Sequence, residues 1–196
     1  MKKSWIVIGV IVVLVFIIYR LFAGSYNNMV SKEEDVKSQW AQVENSYQRR
    51  SDLIPNLVST VKGYAEFEKS TLTEVVQARA SATSMKIDAN NLSPENIAKF
   101  QQAQDGLSGA LSRLLVSVEK YPDLKANQNF LKLQDELAST ENQILTARTR
   151  FNEAVKPYNT HIATFPNSLF AGLFGFQKKT YFEAVAGAEK PVEVKF

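Results

Sequence analysis

The chain has no cysteine, a single histidine and only eight glycines and six prolines in 196 residues. Without cysteine there is no disulfide, no thiolate nucleophile or metal ligand, and no thioether-linked lipid anchor in this sequence. One histidine, His161, cannot supply the Glu-x-x-His pairs that a di-iron helical bundle draws from two helices. Nor is there a Ser/His/Asp or Cys/His constellation or a phosphate-binding glycine loop. The sequence therefore reads as that of a non-enzyme, with no cofactor, no metal and no small-molecule substrate. The shortage of glycine and proline argues against a turn-rich fold, and the apolar residues recur at helical spacing, so the body is expected to be all-α. Neither sign of charge dominates: 23 basic against 20 acidic residues give a net charge of +3. Such a mixed surface is no nucleic-acid footprint.

What is present begins with an apolar run from Trp5 to Tyr19 that carries no charged or strongly polar side chain. Extended to Ser4 and Ala23 it has 20 residues, which at about 1.5 Å per residue cross the ~30 Å of a bilayer core. Residues 1–24 are thus expected to form a transmembrane anchor, with Ile6, Val10, Leu14 and Phe16 inside the span. Trp5 and Tyr19 suit the two interfaces, and Arg20 can snorkel. A secretory signal is the rival reading, because Ala23-Gly24-Ser25 offers a small-residue cleavage site. The run is long for such a signal and Arg20 lies between it and that site, so retention is expected. The expected location is the cell (cytoplasmic) membrane, crossed once. Lys2, Lys3 and the amino terminus, against Arg20, Lys32 and Lys37, favour a cytoplasmic N-terminus only slightly, and the side of the soluble body stays open.

Four helices follow from apolar stripes, giving an antiparallel up-down four-helix bundle over residues 25–163. The first carries Met29, Val36, Trp40, Val43 and Tyr47 and is expected to run straight out of the membrane helix through Gly24. The second is expected to start near Asp52 as N-cap with Pro55 in its first turn, to carry Leu57, Val61, Tyr64, Leu72 and Val75, and to fade after Ala82. Ser93-Pro94-Glu95 opens the third, with Ile97, Phe100, Gln104, Leu107, Leu111, Leu114 and Val118 on one face. Tyr121-Pro122 stops it. The fourth runs from about Asp123 with Leu137, Ile144, Phe151 and Tyr158 at sevens, and Pro157 should kink it. A 25-residue helix implies a rod about 35–40 Å tall.

The strings Arg49-Arg50-Ser51-Asp52-Leu53-Ile54-Pro55-Asn56-Leu57-Val58, Val61-Lys62-Gly63-Tyr64-Ala65 and Ala78-Arg79-Ala80 resemble the LemA family. So do Tyr121-Pro122, Leu124-Lys125-Ala126-Asn127, Thr140-Glu141-Asn142, Ala147-Arg148, Phe151-Asn152, Tyr158-Asn159 and Phe165-Pro166, in order from Tyr26 to about Ala184. The resemblance implies a membrane-anchored four-helix bundle of bacterial type with an unsettled molecular role, and a small N-terminus outside the cell. Where the family commonly has His-Glu after the GYA segment, this chain has Phe67-Glu68, so a metal or proton role for that histidine has no carrier here.

Three groups of residues stand out from these stripes. Arg49, Arg50 and Asp52, with Tyr121 and Asp123, are expected at the distal corners of the bundle, as a partner-facing tip or as helix-end capping groups. Glu141, Arg148, Asn152 and Asn159 form a polar stripe beside the apolar seam, expected to be a hydrogen-bond ladder that sets helix register. Arg79 is expected near Tyr26, Asn27 and Asn152 at the membrane-proximal end. The third group lies in residues 164–196, an apolar, aromatic and glycine-rich segment and tail. Two compatible readings of it stand: a lid on the open end of the bundle, or a membrane contact through Phe165, Phe170, Leu173 and Phe174 with Lys178 and Lys179 facing phosphates.

The sequence thus points to a membrane-tethered scaffold or adaptor whose partners are the bilayer and either another protein or a copy of itself. Its alternatives are a homo-oligomer that organises membrane and a regulatory subunit of a membrane protease or other enzyme.

Overall fold

The computed structural model describes residues 2–64 and 68–183, so Phe67 and the tail from Ala184 onward lie outside the described residues. Within these bounds all regular structure is helical. The helices are α1 (Lys2–Lys62), α2 (Lys69–Ser84), α3 (Pro94–Val118), the short α4 (Pro122–Lys125), α5 (Gln128–Ala163) and α6 (Asn167–Phe174).

Helix α1 runs unbroken through Gly24 for 61 residues, about 90 Å. Its first part, including Trp5, Ile6, Val10, Leu14, Phe16 and Tyr19, is exposed on every side, and this is the one described helix long and apolar enough to cross a membrane. From Met29 onward α1 becomes one-sided. Met29, Val36, Trp40, Val43 and Tyr47 are buried, and the same stripe continues through Ile54, Val58 and Val61.

No new helix begins at Asp52, which corrects the sequence expectation. Pro55 lies inside α1. A helix-interior proline withholds the N–H that would bond the carbonyl four residues earlier, here Ser51. Arg79 of α2 supplies the missing donor, its Nε lying 2.9 Å from the Ser51 carbonyl oxygen. The apolar stripe outlasts the proline, and a distant guanidinium compensates its backbone defect. Two further boundaries shift. The break falls at Gly63 and Tyr64, and α5 begins at Gln128, where the Asn127 side chain accepts from the Phe130 N–H at 3.1 Å. The third helix opens as read, with Ser93 Oγ accepting from the Asn96 N–H.

Helices α1 and α5 run antiparallel in constant register, as the pairs Trp40 with Phe151, Arg50 with Glu141 and Tyr64 with Asn127 show. Helix α2 runs against α3 (Glu74 with Arg113, Ala82 with Gln104), while α3 lies parallel to α1, with Phe100 on Trp40 and Ser108 at Arg50. The core falls into two apolar clusters. The distal one gathers Leu57, Val75, Leu107, Leu114 and Leu137. The basal one, on the side of the apolar run, gathers Trp40, Phe100, Phe151 and Tyr158. Since α2 ends at Ser84, the basal cluster is completed by Ile87 and Leu92 of the following segment and by Phe182 near the chain's end.

Candidate functional site

Arg50 sits at the boundary of the two clusters, with 1% of its surface exposed. Its Nη1 donates to Ser108 Oγ at 2.7 Å and to Glu141 Oε1 at 2.6 Å, and its Nη2 donates to the side-chain oxygen of Gln104 at 2.8 Å. Gln104 in turn donates to the Ala82 carbonyl, so one polar layer ties all four long helices at one level. The guanidinium also lies over the Tyr47 ring, 5.1 Å from its centroid. A buried cation with one half-exposed carboxylate contributes little net stability, but any other register would leave it unpaired. Its stable role is therefore to specify which residues face each other.

This placement corrects the expected tip. Arg49, Arg50 and Asp52 lie in the interior of α1, Arg50 is buried, and Asp52 accepts from Gln48 Nε2 instead of capping a helix. The described distal end is built by Tyr64, whose hydroxyl accepts from Asn127 Nδ2 at 3.0 Å and reaches the Asp123 carbonyl, with Tyr121 and Asp123 beside it. Arg79 is likewise corrected. It bonds Ser51, far along α1 from Tyr26 and Asn27, because α2 begins at Lys69 and not at Asp52.

The polar stripe of α5 forms a ladder, but it grips an extended strap, residues 176–183, more than a neighbouring helix. Asn159 accepts from the Lys179 N–H at 2.9 Å and donates to the Lys179 carbonyl at 2.8 Å. Asn152 does the same for Phe182, at 2.9 and 3.0 Å. Seven residues of helix rise about 10.5 Å and three residues of extended chain span about 10 Å, so the two amides meet the strap in phase. Arg148 donates to the Glu183 carbonyl and lies over the Phe182 ring, and the Tyr158 hydroxyl donates to the Gln177 carbonyl. Phe182 stacks on Trp40 at 5.9 Å with an interplanar angle of 12°. Glu141 alone of the stripe serves the Arg50 layer.

Lys179 is the residue that sequence reasoning misplaced most. It is 7% exposed, ion-paired to Glu33 at 2.8 Å, and donates to the Asn90 carbonyl, so it faces no solvent. Burial and the nearby Glu33 charge raise the pKa of Tyr158, and burial raises that of Tyr47. No sequence signal marks Glu33 as Lys179's partner, since the two are 146 residues apart.

Helix α6 packs against α1 at the end of the apolar run. Phe170 meets Phe22 at 4.1 Å, Phe174 meets Tyr26 at 5.0 Å, and Ser25 Oγ donates to Asn167 Oδ1 at 2.8 Å. Of the expected membrane-contact residues, Phe170 is therefore turned inward and Lys179 is buried. Phe165 and Leu173 are 81% and 71% exposed, Phe174 is partly so, and Lys178 is exposed. Leu169, one turn from each of the first two, is 64% exposed and completes a stripe that the sequence did not single out.

A profile of the LemA family matches residues 39–196. The chain is 27% identical to magnetosome protein MamQ 1 of Paramagnetospirillum magneticum over 207 residues, covering 95% of this chain and 74% of that protein. It is 24% identical to protein LemA of Metamycoplasma hominis, covering 86% of this chain and 73% of that one. To magnetosome protein MamQ of Magnetospirillum gryphiswaldense it is 25% identical, with 85% and 68% covered. The matched region contains the Arg50 layer, the Pro55–Arg79 compensation and the asparagine ladder. The chain belongs to the LemA family.

Proposed function

We propose that this protein is a non-catalytic scaffold or adaptor anchored once in the cell membrane, whose helical body is an antiparallel up-down four-helix bundle. The observation that carries this reading is the continuity of α1. One helix carries the exposed apolar run and then the core stripe to Lys62, so the body stands on the span without a flexible linker. From Gly24 to Lys62 it reaches about 57 Å, taller than the 35–40 Å rod that four equal helices imply. The base of this rod rests on the bilayer through α6 and the turn before it, where Leu169 and Leu173 of the helix and the preceding Phe165 extend the apolar surface of Leu21 and Phe22 sideways. The tip at Tyr64, Tyr121 and Asp123 is where a protein partner is held.

Two measurements test this. The chain has no native cysteine, so a nitroxide at Leu173→Cys reports only that site. Its collision rate with oxygen should exceed that with a water-soluble nickel chelate in lipid nanodiscs, and the reverse ratio sinks the membrane contact. A photo-crosslinker at Asp123 in native membranes should then give one dominant adduct with another protein. Adducts with this chain alone overturn the adaptor in favour of self-association.

A further inference from the structure

We propose that the outward face of α5, from Leu131 to Thr149, is a contact seam for a second copy of this chain standing parallel to the first. Helix α5 carries two stripes. Leu137, Ile144, Phe151 and Tyr158, spaced at sevens, are buried in the core. On the opposite side Leu131, Asp135, Ala138, Asn142, Leu145 and Thr149 are all exposed, at steps of 4, 3, 4, 3 and 4. That is a second seam at 3.5-residue spacing, and its Leu145 is 64% exposed.

In heptad terms Leu131, Ala138 and Leu145 occupy d, and Asp135, Asn142 and Thr149 occupy a. Leucine at d with a single asparagine at a suits a parallel two-stranded coil, in which the asparagine fixes register against its own copy. Only the backbone carbonyl of Asn142 is hydrogen-bonded among the described residues, so its side-chain amide is open to a partner. An amide is its own complement, donor against acceptor. Thr149 Oγ1 donates to the Leu145 carbonyl at 3.0 Å, which leaves its methyl group for contact.

Charge and orientation identify the occupant. The argument for a second copy rests on the reading that the apolar run of α1 lies in a bilayer: copies then stand the same way up at one height, and a two-fold pair sets each residue against itself. A charged face repels its own copy in that arrangement. Glu74 with Arg113 and Glu95 with Lys99 make the α2 and α3 surfaces faces of that kind. On α5 the seam positions from Ala138 to Thr149 are neutral. So is the adjoining groove toward α1, about 430 Å³, at Gln42, Ser46, Ser139, Gln143 and Thr146, down to Arg150 at its lower end. On the other flank Glu141 is held by Arg50 and Arg148 by the strap. Asp135 is the one charge on the seam, and against its own copy it weakens the contact. Pairing therefore depends on the bilayer, which raises the effective concentration of the copies. The seam stops short of Tyr121 and Asp123, so the tip stays free for a protein partner.

The test uses the full chain in phosphatidylcholine vesicles at low protein density. Because the chain has no native cysteine, Leu145→Cys can form a disulfide only with its own copy. Copper-phenanthroline oxidation should crosslink it roughly tenfold faster than Val116→Cys, a 70% exposed position on α3. Asn142→Glu in the Leu145→Cys background adds like charges at an exposed position and should slow the crosslink by roughly tenfold or more, whereas Asp135→Asn should speed it by roughly threefold. Equal rates for Leu145→Cys and Val116→Cys mean random collision and overturn the seam, as does a rate that Asn142→Glu leaves unchanged. A rate unmoved by Asp135→Asn overturns the parallel pair, since only that arrangement sets Asp135 against itself. Vesicle flotation reads the anchor separately. A chain that floats without the crosslink removes the seam alone, and one that crosslinks without floating removes the bilayer reading and keeps the seam.

Discussion

Residues whose roles look local in the sequence act across the fold. Pro55 and Arg79 are 24 positions apart and belong to two separate signature strings, yet the guanidinium serves the carbonyl that the proline orphans. Arg79→Ala should destabilise the protein by about 1–3 kcal/mol, the cost of leaving a half-buried carbonyl unpaired. In a Pro55→Ala background the new N–H reaches Ser51 itself, so the same arginine change should cost less. The double-mutant cycle, measured by urea unfolding, should therefore show coupling of at least about 0.5 kcal/mol, and strict additivity would remove the account. Tyr47 and Tyr158 give a pH-dependent counterpart. Burial raises both pKa values, so below pH 10 neither affects stability. Above that, the unfolded chain ionises its tyrosines while the folded one holds the protons, and stability falls as pH rises. Each group contributes up to about 1.4 kcal/mol per pH unit until its folded pKa is passed. Tyr158→Phe should make this alkaline slope shallower in thermal melts between pH 10 and 12, and an unchanged slope would remove Tyr158 as a contributor.

At the scale of elements, what could be read from the sequence was what repeats. The stripes on α1, α3 and α5 have helical periods, and the core residues they name are the buried ones. Asp52 followed by Pro55 imitates a helix start because local grammar treats proline as a first-turn residue. Only a contact from α2 reveals that the helix passes through, and no local rule encodes it. The strap was illegible for a related reason. An extended segment held by side-chain amides has no partner strand and no alternation, so its Phe and Lys residues look like scattered apolar and basic surface. The polar stripe on α5 was legible as a ladder, though not its occupant. If the asparagines hold the strap, Asn152→Ala with Asn159→Ala should lower hydrogen-exchange protection of the Lys179 and Phe182 amides by roughly tenfold or more. Asn142→Ala, on the exposed side of the same helix, should leave them protected.

For the whole molecule the decisive joint is Gly24, where the apolar run meets the body. A helical glycine costs about 0.5–1 kcal/mol relative to alanine and is a natural place for the rod to flex. Three contacts of α6 straddle it: Phe170 on Phe22, Phe174 on Tyr26 and Asn167 with Ser25. Helix α6 therefore acts as a splint, and the same short element that presents Leu169 and Leu173 outward braces the body against the apolar run. Spin labels at Tyr19→Cys and Arg49→Cys, both exposed, should lie about 45 Å apart along an unbroken helix, before the length of the labels is added. Pulsed dipolar measurements should give a narrow distribution that Gly24→Ala leaves narrow, since nothing lies within 4 Å of the added Cβ. Gly24→Pro should broaden it strongly by breaking the helix. Phe170→Ala should broaden it less, by removing the splint while leaving the backbone intact. A distribution that stays narrow in Phe170→Ala would mean that α1 is rigid by itself, and that the contacts of α6 serve only to orient its exposed leucines.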